Sequence, residues 1–65
     1  MKKWKGIFNW YNEVITLHTN AESEIHARHR FICVLAKILK REVWAVQRYF
    51  NGEKDNYNIK EVQNG

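Results

Sequence analysis

Phe31-Ile32-Cys33-Val34-Leu35-Ala36-Lys37-Ile38-Leu39 is apolar at every position but Lys37, inside a stretch without Pro or Gly from about Ala21 to Lys40. Strong helix formers and three- and four-residue apolar spacings predict one helix over that stretch. A helix that is apolar all round is buried all round. The whole chain has 65 residues, and a chain this short hides only roughly 60% of its unfolded surface. Either the remaining elements pack on opposite sides of this rod, or a second copy of the chain covers one flank as a homodimer. In this setting Cys33 is expected to be a small buried hydrophobe. As the only cysteine it excludes an intramolecular disulfide.

The flanking elements follow from local signals. Over residues 2–8, Trp4, Gly6 and Phe8 alternate with Lys3, Lys5 and Ile7, and Val14-Ile15-Thr16-Leu17-His18-Thr19 has strand propensity. A hairpin of strands 2–8 and 13–19 with a turn at 9–12 is expected. The alternative is a single helix, because Trp4, Ile7, Phe8, Tyr11, Val14, Ile15 and His18 also recur at helical spacing. Asn20 or Ser23 caps the long helix, and Glu22 and Glu24 place negative charge in its first turn. A short second helix, Val43 to Phe50, turns Val43, Val46 and Phe50 to the core and leaves Trp44, Gln47, Arg48 and Asn51 outward. Asn51-Gly52 stops it. Tyr57–Val62 alternates as a short strand suited to pairing with the hairpin, and the last three residues are expected to fray. The fold class is therefore α+β in one small domain, with an all-α bundle as the alternative.

Charge narrows the partner. The formal net charge is +4, and the excess is local. Residues 23–48 hold Arg28, Arg30, Lys37, Lys40, Arg41 and Arg48 against Glu24 and Glu42, a net of +4, whereas residues 1–22 carry +1 and residues 49–65 carry −1. A basic balance favours nucleic acid or another anionic partner. His26-Ala27-Arg28-His29-Arg30 reads as a basic patch responsive to pH near neutrality.

The segment Leu35-Ala36-Lys37-Ile38-Leu39-Lys40-Arg41-Glu42-Val43-Trp44-Ala45-Val46-Gln47-Arg48-Tyr49-Phe50-Asn51-Gly52 resembles the helix-turn-helix of the lac-repressor and phage-repressor class, whose consensus runs roughly L-A-x-x-L-G-V-S-x-x-T-V-S-R-x-L-N-G. Leu35, Ala36, Leu39, Val46, Arg48, Asn51 and Gly52 stand at the pattern's positions. Lys40, Arg41 and Glu42 replace the turn glycine, a buried aliphatic residue and the capping serine. The resemblance implies that the second helix enters the major groove of duplex DNA with Glu42, Trp44, Ala45, Gln47 and Arg48 near the bases. Gln47 would bond adenine, Arg48 guanine or phosphate, and Lys37, Lys40 and Arg41 would hold the backbone. Members of that class place another helix before the motif. Size and composition also resemble small phage and mobile-element proteins.

Other chemistries have weaker support. His26, His29 and Cys33 share a helical face, but no further ligand lies at zinc spacing, so no metal or other cofactor is expected. No nucleophile has a base and an orienting acid at a recognisable spacing, and the three glycines are isolated, so an enzyme is not expected. Lys2, Lys3, Trp4, Lys5, Phe8, Trp10 and Tyr11 interleave cations with aromatics, as single-strand platforms do, although a small core uses such aromatics too. No apolar run approaches a membrane span, and the mixed residues after Lys5 do not form a signal peptide, so a soluble cytoplasmic protein is expected. The two function classes that remain are a small DNA-binding regulator and a protein-interaction factor acting on an acidic partner.

Overall fold

The computed structural model describes residues 1–62, in the order β1 (Lys2–Trp10), β2 (Glu13–Ala21), α1 (Glu24–Leu39), α2 (Val43–Tyr49) and β3 (Tyr57–Val62). The fold is α+β. A three-stranded antiparallel sheet of order β2-β1-β3 carries both helices on one face. The fraying expected of residues 63–65 lies outside the described residues.

Alternation in β1 positions everything else. Trp4, Gly6 and Phe8 point inward and are buried, while Lys3, Lys5, Ile7 and Asn9 face the open side. The register pairs Phe8 with Ile15 and Tyr57, and Gly6 with Leu17 and Ile59, so each inward position lies beside inward positions on both neighbours. β1 runs two residues further into the turn than expected, and β2 two residues further at its far end. Asn9 and Trp10 pair with Val14 and Glu13, and β2 continues to Ala21. Only Tyr11 and Asn12 form the turn, at φ 48° and 70°. Positive φ at both central residues is the geometry whose twist matches the flanking strands. The all-helical alternative for residues 2–19 is thereby overturned.

Helix α1 starts at Glu24 rather than near Ala21, because Ala21 is held in β2 and its carbonyl accepts from Trp4 Nε1 at 3.0 Å. Of the two candidate caps, Ser23 serves: its Oγ accepts from the His26 backbone N–H at 3.4 Å. Ala27, Phe31, Ile32, Leu35 and Ala36 are buried against the sheet and α2. Phe8 meets Phe31 edge to face at 5.6 Å and Phe50 at 5.2 Å, and stacks on Tyr57 at 5.9 Å. Gly6 makes the close approach possible. A Cβ there would lie 2.5 Å from Phe8 Cε2 and 2.9 Å from Phe31 Cε2.

Three expectations are corrected. The rod is not covered on all flanks: Cys33 is exposed, Val34 is 43% exposed and Ile38 52%. The sheet and α2 together subtend only part of the helix circumference, and a single chain has nothing further to lay on the rest. Val43 is 43% exposed rather than core, while Val46 and Phe50 are fully buried. The patch from His26 to Arg30 is divided, because Arg28 turns inward. Its guanidinium donates to the Phe50 carbonyl at 2.6 Å and lies 5.6 Å from the centre of the Tyr57 ring.

Candidate nucleic-acid interface

The seven residues Lys37, Lys40, Arg41, Glu42, Trp44, Gln47 and Arg48 gather at the α1–α2 corner but do not form one surface. Lys37 lies exposed in the last turn of α1. Lys40 is its C-cap, at φ 55° and ψ 45°, the left-handed conformation of the helix-ending glycine for which it substitutes. Its N–H donates to the Lys37 carbonyl at 3.4 Å, and that of Arg41 to Ala36 at 3.0 Å. A lysine in this conformation costs about 1 kcal/mol relative to glycine. Arg41 stands where the repressor class buries an aliphatic side chain, and it is exposed. Glu42 is the N-cap of α2 by its backbone alone, with no side-chain hydrogen bond.

Within α2, Val46 on the inward side leaves Trp44, Gln47 and Arg48 outward. Trp44 and Arg48 stand on one flank. There they join Arg41, Ala45, Tyr49, Lys54 and the hairpin residues Trp10 and Tyr11 around a cleft of about 450 Å3. Gln47 faces the other way, into a smaller hollow between the helices beside His29, Ile32, Cys33 and Val43. Arg41, Trp44 and Arg48 therefore act together; Gln47 does not share their wall.

The floor of the cleft is aromatic. Trp10 meets Tyr49 at 4.6 Å and Tyr11 at 5.0 Å, both edge to face, and Tyr11 stacks on Tyr49 at 4.9 Å with 23° between planes. Tyr49 Oη also accepts from the Tyr11 N–H at 3.4 Å, and the Lys54 ammonium lies 4.6 Å from the centre of the Tyr49 ring. Asn56 supports this wall from behind. Its Nδ2 donates to the Tyr49 carbonyl at 3.0 Å, while its backbone carbonyl accepts from the Asn9 N–H at 2.8 Å. Tyr11 remains 70% exposed and Trp44 64%. Three cations and four large aromatics line the cleft, and no carboxylate does.

Two of these residues escaped the sequence reading. Tyr49 and Lys54 sit beside Tyr11 only because β1 and the segment after α2 meet in space. Trp10 and Tyr11 belong to the aromatic and basic interleaving of residues 2–11, and the structure divides that set. Trp4 and Phe8 are core, and Trp10 and Tyr11 form the cleft.

Among the described residues no group of three His, Cys, Asp or Glu side chains is placed to hold a metal ion, and no helix is long and apolar enough to cross a membrane. The helix pair is preceded by a hairpin and followed by a strand, whereas the repressor class has helices there. Comparison with known proteins finds no matching family model, no matching curated protein and no matching solved structure.

Proposed function

We propose that the protein binds nucleic acid, with duplex DNA as its target, through the outward face of α2 and the cleft beside it. The observation that carries this reading is the lining of the cleft: Arg41, Arg48 and Lys54 among Trp10, Tyr11, Trp44 and Tyr49, with no acidic side chain between them. Cations unopposed by carboxylates attract phosphates, and planar aromatic surfaces at the rim accept base or sugar faces. In the helix-turn-helix arrangement that the sequence resembles, α2 is the groove-facing element. Trp44 and Arg48 are then nearest the bases, and Lys37, Lys40, Arg41 and Lys54 hold the backbone.

The test is fluorescence anisotropy of a labelled duplex at KCl from about 50 to about 200 mM. Log affinity should fall linearly with log salt, and Arg41→Ala, which removes a backbone contact, should lower the slope by about 0.9. Absence of binding to duplex DNA at the lowest salt would sink this reading.

A second reading, a protein-interaction factor, draws on the uncovered flank of α1 where Val34 and Ile38, one turn apart, are exposed together. Under it, charge reversal at Arg41 and Arg48 leaves partner capture intact, while polar substitution at Val34 and Ile38 abolishes it.

A further inference from the structure

The sheet has a second face, away from both helices, and its charge is one-sided. Inward and outward residues alternate strictly, so the open side carries Lys3, Lys5, Ile7 and Asn9 of β1, Val14, Thr16, His18 and Asn20 of β2, and Asn58, Lys60 and Val62 of β3. Three of these are lysines and none is a carboxylate. Glu13 and Glu61 fall on the opposite parity, and Lys2, which pairs with Glu61 at 3.9 Å, lies with them. Asp55, in the loop before β3, is at the other end of the face beside Asn9 and Asn58.

The register makes the arrangement costly. Lys5 stands directly opposite Lys60 on one side and His18 on the other, so one line across all three strands reads His18-Lys5-Lys60. Like charges directly opposite each other on neighbouring strands destabilise a sheet. Lysines on edge strands have an ordinary role, since they block pairing with another sheet edge. That accounts for Lys60 on β3, but Lys3 and Lys5 are on the central strand, which has no free edge. Next to them lies a shallow hollow of about 330 Å3 lined by Lys3, His18, Thr19 and Asn20 with Trp4 and Val62. Trp4 in it is buried, and the apolar residues that the face exposes are Ile7, Val14 and Val62 rather than the Trp, Phe or Leu anchors that insert into a membrane surface.

We infer that this open face is a second nucleic-acid surface, on which Lys3, Lys5 and Lys60 contact the phosphates of duplex DNA and His18 and Asn20 hydrogen-bond beside them. The occupant is chosen by charge: a polyanion with regularly spaced phosphates complements three cations set at strand spacing, and it relieves the Lys5–Lys60 repulsion. This surface shares no residue with the α2 cleft and faces away from it. One molecule with both surfaces occupied touches two stretches of duplex.

The experiment is an amide-resolved NMR titration of the full chain with a 16-base-pair DNA duplex. It is run on the native protein, on R41A/R48A, which removes the cleft cations, and on K3Q/K5Q/K60Q, whose substitutions are all at exposed positions. The expected result is movement of the Lys3, Lys5, His18 and Lys60 amides in R41A/R48A, lost in the triple variant. The salt slope should also fall by about 2.7 in the triple variant, roughly 0.9 per phosphate contact. Independently of any ligand, K60E should raise the melting midpoint while weakening DNA binding. Strand shifts that persist while the α2 amides stay still support this surface and remove the cleft reading. The inference is overturned if DNA moves only α2 and the hairpin turn, or moves nothing. It is equally overturned if vesicles of three parts phosphatidylcholine to one part phosphatidylglycerol move the strand amides where DNA does not.

Discussion

The Arg28 guanidinium donates a 2.6 Å hydrogen bond to the carbonyl of Phe50, the residue that ends α2, and so ties the second turn of α1 to the far end of the second helix. Because α2 has seven residues and no side-chain cap, it is too short to stand by propensity alone. Its position depends on Val46 and Phe50 below and on this bond beside them. Arg28 Nε finds no partner among the described residues, so the guanidinium is committed to Phe50 and to the face of Tyr57.

Replacing Arg28 with Ala should therefore destabilise the fold by about 1.5–3 kcal/mol, the range for a hydrogen bond to a charged group. Lysine should not restore it, because a point charge on a flexible stem lacks the planar fork. Urea unfolding followed by far-ultraviolet circular dichroism gives the difference, and a loss below 0.5 kcal/mol for R28A contradicts this role.

Gly6→Ala should cost at least 1–3 kcal/mol, since the added methyl meets two aromatic rings rather than a flexible side-chain end. Thermal melts of the two proteins check it. A neutral outcome would mean that Phe8 and Phe31 yield more easily than their edge-to-face packing implies.

Tyr11 and Asn12 occupy a turn that favours Asn-Gly. The double substitution Y11N/N12G should raise the melting temperature. It should at the same time weaken DNA binding, because the ring stacked on Tyr49 disappears from the cleft. Opposite signs for stability and affinity are the expected pair, and unchanged affinity removes Tyr11 from the interface.

Along α1 the two flanks should respond very differently. Leu35→Ala should cost about 2–5 kcal/mol, whereas Ile38→Lys should stay within about 0.5 kcal/mol. Chemical denaturation of both variants, with sedimentation of the native protein alongside, tests whether Ile38 is uncovered in solution. A large loss for I38K accompanied by dissociation of a dimer would show that a second copy covers that flank.

Much of this architecture was legible before the fold was known, because period-two alternation in residues 2–8 and helical spacing in residues 24–39 are local properties. Boundaries were less so. Asn9-Trp10-Tyr11-Asn12 has the composition of a turn, yet cross-strand pairing to Val14 and Glu13 draws Asn9 and Trp10 into the ladder. The coverage of Phe31–Leu39 was misjudged for a related reason. Hydropathy says which side chains would gain from burial, but where the sheet and α2 lie decides which do, and Cys33, Val34 and Ile38 stay exposed. The cleft was the least legible feature. Tyr11 and Tyr49 stand thirty-eight positions apart and no spacing rule connects them. The available signal was surplus: with three phenylalanines filling the interior, Trp10, Tyr11, Trp44 and Tyr49 exceed what a core of this size consumes.

The place of β1 between β2 and β3 also sets a timetable. Its pairing with β2 zips outward from a two-residue turn, while its pairing with β3 begins at Phe8 and Tyr57, forty-nine positions apart. Loop closure over that span, the longest that the sheet's pairing requires, is the slow, entropically expensive step. Until it happens, Phe8 has one open side and the hairpin persists only as a transient. Refolding speed is thus governed by how readily the end of the chain finds its beginning.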